Sequence, residues 1–245
     1  MQILEGRAWF EAGASLALMP LWQLAPRGDG HPVLVLPGLV ASDRSTAIMR
    51  RFLGRLGYAV SPWGLGINFG PRPGVVEGMR RKIEQLAEAH GRKVSLVGWS
   101  LGGIYARELA KQLPSSVRLV ISMASPFTGH PRASNAVRLY ELVSGNRVGA
   151  PEFHDPLRAS PPVPTTSIWS RSDGVVSWRC SVERRQPFVE NIEIRASHLG
   201  IGNHPLALFA TADRLAQPEH AWTPFQRDGW KKLLYGDPDR PPATR

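Results

Sequence analysis

The feature that most constrains this chain is the run LVGWSLGGIYA at residues 96–106, where three glycines surround one serine. An apolar run ends at this point, and helical spacing begins beyond it. Glycine is costly inside regular structure, so glycines on both sides of Ser100 indicate a sharp turn between a strand and a helix. In the pattern G-x-S-x-G, the glycines remove the side chains that would collide in such a turn. The run therefore predicts a serine hydroxyl presented at a strand end.

Hydrophobic periodicity predicts an α/β fold along the rest of the chain. Short apolar runs predict strands at residues 31–36, 58–60, 93–97, 117–123, 165–169 and 191–195. Apolar stripes at helical spacing predict helices at residues 45–56, 74–90, 101–113 and 205–215. This alternation implies a mostly parallel central sheet with helices on both faces. Ligands of such sheets bind beyond the carboxyl ends of the strands, so we look for chemistry there.

The chain length of 245 residues fits one such domain. We expect the domain at residues 31–235, after an apolar, helical N-terminal extension at 1–30 and before a flexible tail at 236–245. The segment 126–164 is rich in Pro, Ser and Arg and interrupts the alternation. It predicts a small cap insertion with a short helix near residues 136–143.

The net charge of +10 is spread over short basic pieces rather than one block. No nucleic-acid-binding signature accompanies it, so no nucleic-acid partner is expected. The charge favours a solvated surface, with attraction to anionic lipid or an acidic substrate as the alternative. The sequence does not fix the oligomeric state.

The apolar stretch at residues 14–25 is too short to span a bilayer, and it lacks the cationic start of a signal peptide. We expect it to pack on the domain, with peripheral membrane contact as the alternative. The single cysteine, Cys180, excludes an internal disulfide and agrees with a reducing compartment. A cytoplasmic location is therefore expected, and membrane association and secretion stay open.

A nucleophilic serine needs a base, and the base needs an orienting carboxylate. Among seven histidines, His198 follows the sixth predicted strand and is the expected base, while His204 is the alternative and also fits the start of the last helix. Asp173 follows the fifth strand and is the expected acid, although an Asp-Gly turn would explain it too. The chain order Ser100, Asp173, His198 is that of one known triad arrangement.

Two backbone amides are expected to form an oxyanion hole. One belongs to Leu101, the residue after the serine, and the other to Leu39, in the Pro-Gly turn after the first strand. Apolar loop residues near the strand ends predict contacts to an apolar acyl group: Trp63, Leu65, Phe69, Trp99 and Phe127.

Five short motifs carry a resemblance to a known family: LPGL at 36–39, WGLGINFGP at 63–71, GWSLGG at 98–103, SDGVV at 172–176 and SHLGIGNHP at 197–205. Over residues 31–216 the chain resembles bacterial lipases and esterases of the α/β-hydrolase superfamily. The resemblance implies Ser100 as nucleophile, His198 as base, Asp173 as acid and the two leucine amides as the oxyanion hole. We expect no cofactor and no metal. Secreted lipases usually carry a signal peptide and often a disulfide or calcium site, and none is evident in the sequence.

These observations favour a serine hydrolase that cleaves a small-molecule ester or lipid ester through an acyl-enzyme. An acyltransferase or thioesterase with the same triad is the first alternative, which the products formed with a competing alcohol would distinguish. A non-catalytic binding protein on a hydrolase fold is the second, and failure to react with a fluorophosphonate would favour it. The acyl chain length and the alcohol are left open.

Overall fold

One parallel sheet organises the molecule, as seen in a computed structural model that describes residues 19–128 and 158–237. Its strands are β1 Pro32–Leu36, β2 Ala59–Pro62, β3 Val94–Trp99, β4 Val117–Met123, β5 Thr165–Trp169 and β6 Val189–Glu193. Their order is β2-β1-β3-β4-β5-β6, and every neighbouring pair is parallel. The predicted fold class is confirmed, and all carboxyl ends of these strands lie at one edge.

Helices cover both faces of the sheet. They are α1 Ala47–Leu56, α2 Val75–His90, α3 Leu101–Gln112, α4 Pro205–Leu215 and the short α5 Lys231–Leu234. Alternate residues of β1 point to opposite faces, as strand geometry requires. Val33 and Val35 belong to a core with α1 and α4, whereas Leu34 and Leu36 belong to a core with α2 and α3.

The sixth strand begins two residues earlier than predicted, at Val189 rather than residue 191. Its register with β5 runs from Thr165 opposite Val189 to Trp169 opposite Glu193. Val189 is only half-buried, whereas Ile194 is buried beyond the end of the strand. Apolar periodicity therefore placed the strand too far along the chain.

Parts of the predicted organisation lie outside the described residues: 1–18 of the N-terminal extension, 129–157 of the cap, including its predicted helix, and 238–245 of the tail. Residues Met19–Leu24 form a 3₁₀ turn, and the Trp22 ring lies 5.3 Å from that of Phe52 on α1. Within the described residues, no helix has both the length and the apolar character that a membrane span requires.

Candidate active site

Ser100 lies in the sharp turn between β3 and α3. Its φ of 53° and ψ of −119° are strained for a residue with a side chain, and such strain collects at functional sites. The Ser100 amide donates to the carbonyl of Met123 at 2.7 Å, which ties the turn to β4. A Cβ atom at Gly102 would lie 2.3 Å from the carbonyl oxygen of Leu36, so only glycine fits there.

The predicted nucleophile, base and acid meet in one hydrogen-bonded chain. Ser100 Oγ lies 3.1 Å from His198 Nε2, and His198 Nδ1 lies 2.8 Å from Asp173 Oδ2. The other oxygen of Asp173, Oδ1, accepts the amides of Val175 at 2.8 Å and Val176 at 2.7 Å. When the Nδ1–H group of His198 donates a hydrogen bond to the carboxylate, Nε2 carries a lone pair and can accept the serine proton.

Burial protects this chain of bonds from water. The side chains of His198 and Asp173 are 6% and 2% exposed, and Ser100 is 7% exposed. The hydrogen bonds between the three side chains therefore lie largely out of contact with bulk solvent.

A serine hydroxyl that sequence reasoning missed joins the loops of the acid and the base. Ser170 Oγ accepts the amide of Ala196, two residues before His198, at 3.1 Å. It also accepts the amide of Ser172 at 3.1 Å, one residue before Asp173. The hydroxyl residues of the run SRSDG were the available signal, but only the fold shows the contact with the loop after β6.

The turn after β1 carries the first predicted oxyanion donor. The amide of Ala41 closes this turn onto the carbonyl of Gly38 at 3.2 Å, and Val40 has a φ of 57°. In the part of the chain that the structure describes, the amides of Leu39 and Leu101 have no hydrogen-bond acceptor. Both amides are therefore available to a ligand.

Comparisons with known proteins rest on structure, since neither a family model nor a curated protein matches this chain. Aspergillus fumigatus lipase B superimposes with a TM-score of 0.60 at 18% identity, over 78% of this chain and 54% of its own, so the match spans about half of that lipase. The mature Bacillus licheniformis lipase BlEst2 gives 0.59 at 16%, over 78% and 94% of the two chains. An alpha/beta superfamily hydrolase from Oenococcus oeni gives 0.56 at 18%, over 76% and 91%.

The chain has the α/β-hydrolase fold. Its sheet order and parallel strands agree with this assignment, and in such folds ligands bind beyond the strand carboxyl ends. Ser100, Asp173 and His198 follow β3, β5 and β6 at that edge.

Within this hydrolase fold, Trp99 holds the loop of His198. Its indole Nε1 donates to the carbonyl oxygen of His198 at 3.1 Å, and the two rings lie 5.9 Å apart. The structure thus gives Trp99 a contact that positions the His198 loop, and its contact with substrate stays a prediction.

The other predicted substrate contacts differ in how far they are covered. Trp63 is 3% exposed in the core beside α2, and Phe127 is 2% exposed beneath the Arg107 guanidinium, 3.7 Å from its ring centre. Phe69 is half-buried, and Leu65 is 38% exposed. Trp63 and Phe127 could contact a substrate only if their side chains became exposed, so their role in substrate binding stays a prediction.

His204, the alternative base, begins α4. Its Nδ1 accepts the amide of Leu206 at 3.2 Å, which satisfies one of the free donors at the helix start. The structure therefore brings His198, not His204, to Ser100.

Three exposed apolar side chains lie directly beside site residues in the sequence. Val40, Ile67 and Leu199 are 48%, 51% and 57% exposed. Val40 and Leu199 are neighbours of Leu39 and His198, and Ile67 precedes Asn68, whose carbonyl accepts the amide of Val40 at 2.7 Å. We call these three side chains the apolar rim.

Among residues 19–128 and 158–237, no three His, Cys, Asp or Glu side chains are grouped to hold a metal ion.

Proposed function

We propose that this protein is a serine hydrolase that cleaves a carboxylic ester with an apolar acyl group. The observation that carries the proposal is the unbroken set of hydrogen bonds from Ser100 Oγ through His198 to Asp173. A serine hydroxyl alone is a weak nucleophile, and this arrangement is the one that activates it.

In the first half of the reaction, Ser100 Oγ attacks the ester carbonyl carbon and its proton passes to His198 Nε2. The resulting imidazolium is stabilised by the Asp173 carboxylate. When the tetrahedral intermediate collapses, the bond from carbon to the alcohol oxygen breaks, and His198 gives its proton to the leaving alcohol. Ser100 then carries the acyl group as an ester.

In the second half, water attacks the acyl carbon and gives a proton to His198. Collapse of this second intermediate breaks the bond to Ser100 Oγ, which takes the proton back from His198. The acid leaves, and the enzyme returns to its starting state with all atoms balanced.

Each tetrahedral intermediate places a negative charge on the former carbonyl oxygen. The amides of Leu39 and Leu101, which have no acceptor among the described residues, are the proposed donors to it. Removing one such donor from a preorganised site typically slows the reaction by about 10²–10³-fold.

The apolar rim supports an apolar acyl group, because its three exposed hydrophobic side chains lie next in the chain to Leu39, Asn68 and His198. Two of the solved structures that share this fold are named lipases, which supports an ester of that kind.

The test is the hydrolysis of p-nitrophenyl esters from short to long acyl chains by the full chain and by Leu199→Ser. We expect kcat/KM of the unaltered chain to rise with chain length and Leu199→Ser to lose most on the long esters, since that side chain lies on the rim. Phe188→Ser is the matched control, because Phe188 is also 57% exposed but precedes β6, at the opposite edge of the sheet. Equal losses from both variants on all esters would contradict the apolar acyl site, and no hydrolysis of any ester would contradict the function.

A further inference from the structure

Asn68 is fully buried in a loop that has no helix or strand of its own. Its relative exposure is 0%, and it lies between β2 and α2 in the run WGLGINFGP. A buried amide side chain is costly unless its donors and acceptor are satisfied, so its partners indicate its role.

The partners of Asn68 surround the turn that carries Leu39. Its side-chain Nδ2 donates to the carbonyl of Pro37 at 2.9 Å. Its backbone carbonyl accepts the amide of Val40 at 2.7 Å, and its own amide donates to the carbonyl of Ala41 at 2.8 Å. Leu39 is therefore held from both sides by contacts to one residue.

The same residue fixes its own loop. Asn68 Oδ1 accepts the amide of Gly70 at 3.1 Å. At the other end of the loop, the Asp43 carboxylate accepts the amides of Trp63 at 3.1 Å and Gly64 at 3.2 Å. Because both ends of the loop are fixed, Asn68 has a rigid base from which to hold the Leu39 turn.

The turn needs such a hold because Val40 is strained. Its φ of 57° is a left-handed value that a β-branched residue rarely adopts. The bond from the Val40 amide to the Asn68 carbonyl turns that amide away, and the amide of Leu39 keeps no acceptor in the described part of the chain. Without this hold, the turn would relax toward an unstrained form with another amide direction.

We propose that Asn68 is a positioning residue that sets the oxyanion hole by fixing the direction of the Leu39 amide. This inference rests on the proposed function, since it concerns the same reaction. Asn68 acts through Pro37, Val40 and Ala41 and does not touch the substrate.

The test compares Asn68→Ala with the unaltered chain on an ester and on the matching thionoester. Sulfur is a larger and weaker hydrogen-bond acceptor than oxygen, so a thionoester gains little from an oxyanion hole. Asn68→Ala removes the side-chain bonds to Pro37 and Gly70 and keeps the backbone bonds to Val40 and Ala41. We therefore expect it to lower kcat for the ester about 10- to 100-fold, at or below the loss of about 10²–10³-fold for one whole donor, with little change in KM. The thionoester should lose much less, so the ratio of the two kcat values falls. The pH profile of kcat should keep its shape, because the contacts of His198 are unaltered.

Asn191→Ala is the matched control. The Asn191 side chain also bonds to backbone through both its oxygen and its nitrogen, accepting the Glu183 amide at 2.8 Å and donating to the Glu183 carbonyl at 3.0 Å. We expect Asn191→Ala to lower the free energy of unfolding as Asn68→Ala does. Asn191, however, lies on β6, away from the Leu39 turn. The ratio of ester to thionoester kcat should therefore stay at the value of the unaltered chain.

If Asn68→Ala does not fold, Asn68→Asp replaces it, since aspartate keeps the size and an acceptor for Gly70 but loses the donor to Pro37. A folded variant with an unchanged ratio would overturn the role of Asn68. The unaltered chain and Ser100→Ala are measured alongside. Turnover that survives in Ser100→Ala, or no turnover by the unaltered chain, would contradict the proposed function, whereas an unchanged ratio in Asn68→Ala would contradict only the role of Asn68.

Discussion

At the residue scale, the place of Ser100 Oγ depends on the side chains that its neighbours lack. A Cβ atom at Gly98 would lie 2.3 Å from the backbone of Gly102, and one at Gly102 would lie 2.3 Å from the carbonyl oxygen of Leu36. The obstacles are backbone atoms of a strand and a helix, which cannot move aside without breaking the sheet.

We therefore expect Gly102→Ala to lower the free energy of unfolding by about 3 kcal/mol or more, at the upper end for an overpacked site. Urea denaturation followed by circular dichroism measures it. Gly54→Ala is the control: Gly54 is exposed on α1 with no atom within 4 Å of an added Cβ, and the change should stabilise by up to about 1 kcal/mol. If both variants changed the free energy of unfolding by the same amount, or if Gly102→Ala left it unchanged, the close approach of β1 and α3 would be contradicted.

The titratable residue His31 is completely buried just before the amino end of β1. Burial lowers the pKa of His31, its hydrogen bond to Asp29 opposes this, and the charges of Arg118 and Arg92 add to the lowering. Burial alone would raise the pKa of the Asp29 carboxyl, but hydrogen bonds from His31 and Arg92 outweigh it and lower the pKa. At neutral pH, Asp29 is therefore ionised and His31 is neutral.

This lowered pKa predicts a loss of stability on acidification. Below the ordinary histidine pKa of 6.5 the unfolded chain binds a proton at His31 that the folded chain does not, until the folded pKa is reached. Stability should fall over that window by up to about 1.4 kcal/mol per pH unit from this group. The measurement is urea unfolding from pH 7.5 to pH 5, and His31→Gln should give a smaller slope against pH. Equal slopes would show that His31 titrates alike in both states.

At the element scale, α3 has two roles. Its first residue, Leu101, follows Ser100, and Arg107, about two turns further along the helix, contacts the surrounding loops. The Arg107 guanidinium forms an ion pair with Glu183, donates to the carbonyl of Ala159 at 3.2 Å and lies over the Phe127 ring. Burial lowers the pKa of Arg107 to about 10, so it stays charged at neutral pH. The pair joins α3 to the segments before and after β5.

Breaking a buried ion pair leaves one charge without a partner, which costs about 3–5 kcal/mol. We expect Arg107→Met and Glu183→Leu each to lose that much free energy of unfolding, and the double variant to lose clearly less than their sum. The control is Glu77→Ala on α2, whose exposed pair with Arg81 at 3.5 Å should contribute less than about 1 kcal/mol. Additive losses at Arg107 and Glu183 would mean that the pair is not coupled.

Sequence patterns predicted the elements and the three central residues because those signals are local. G-x-S-x-G needs only a strand before it and a helix after it, and His198 and Asp173 each follow a predicted strand. The contacts of Asn68 and Ser170 could not be predicted, since each joins loops that lie far apart in the chain.

At the scale of the whole molecule, location separates a reactive arrangement from a structural one. Asp29, His31 and Ser95 form a similar hydrogen-bonded chain, with His31 Nδ1 2.5 Å from Asp29 and Nε2 2.8 Å from Ser95 Oγ. Ser95 lies inside β3 with no exposed surface, so a substrate has no access to it. Ser100 differs because it stands beyond the carboxyl end of the same strand, where a ligand can reach it.

The most direct test of the proposed serine hydrolase is the rate of p-nitrophenyl ester hydrolysis by Ser100→Ala. We expect a fall in kcat of about 10⁴–10⁶-fold, since the nucleophile is removed while the oxyanion donors remain. Ser95→Ala is the matched control and should keep the rate of the unaltered chain, although it loses stability. Turnover by Ser100→Ala at the rate of the unaltered chain would contradict Ser100 as the nucleophile.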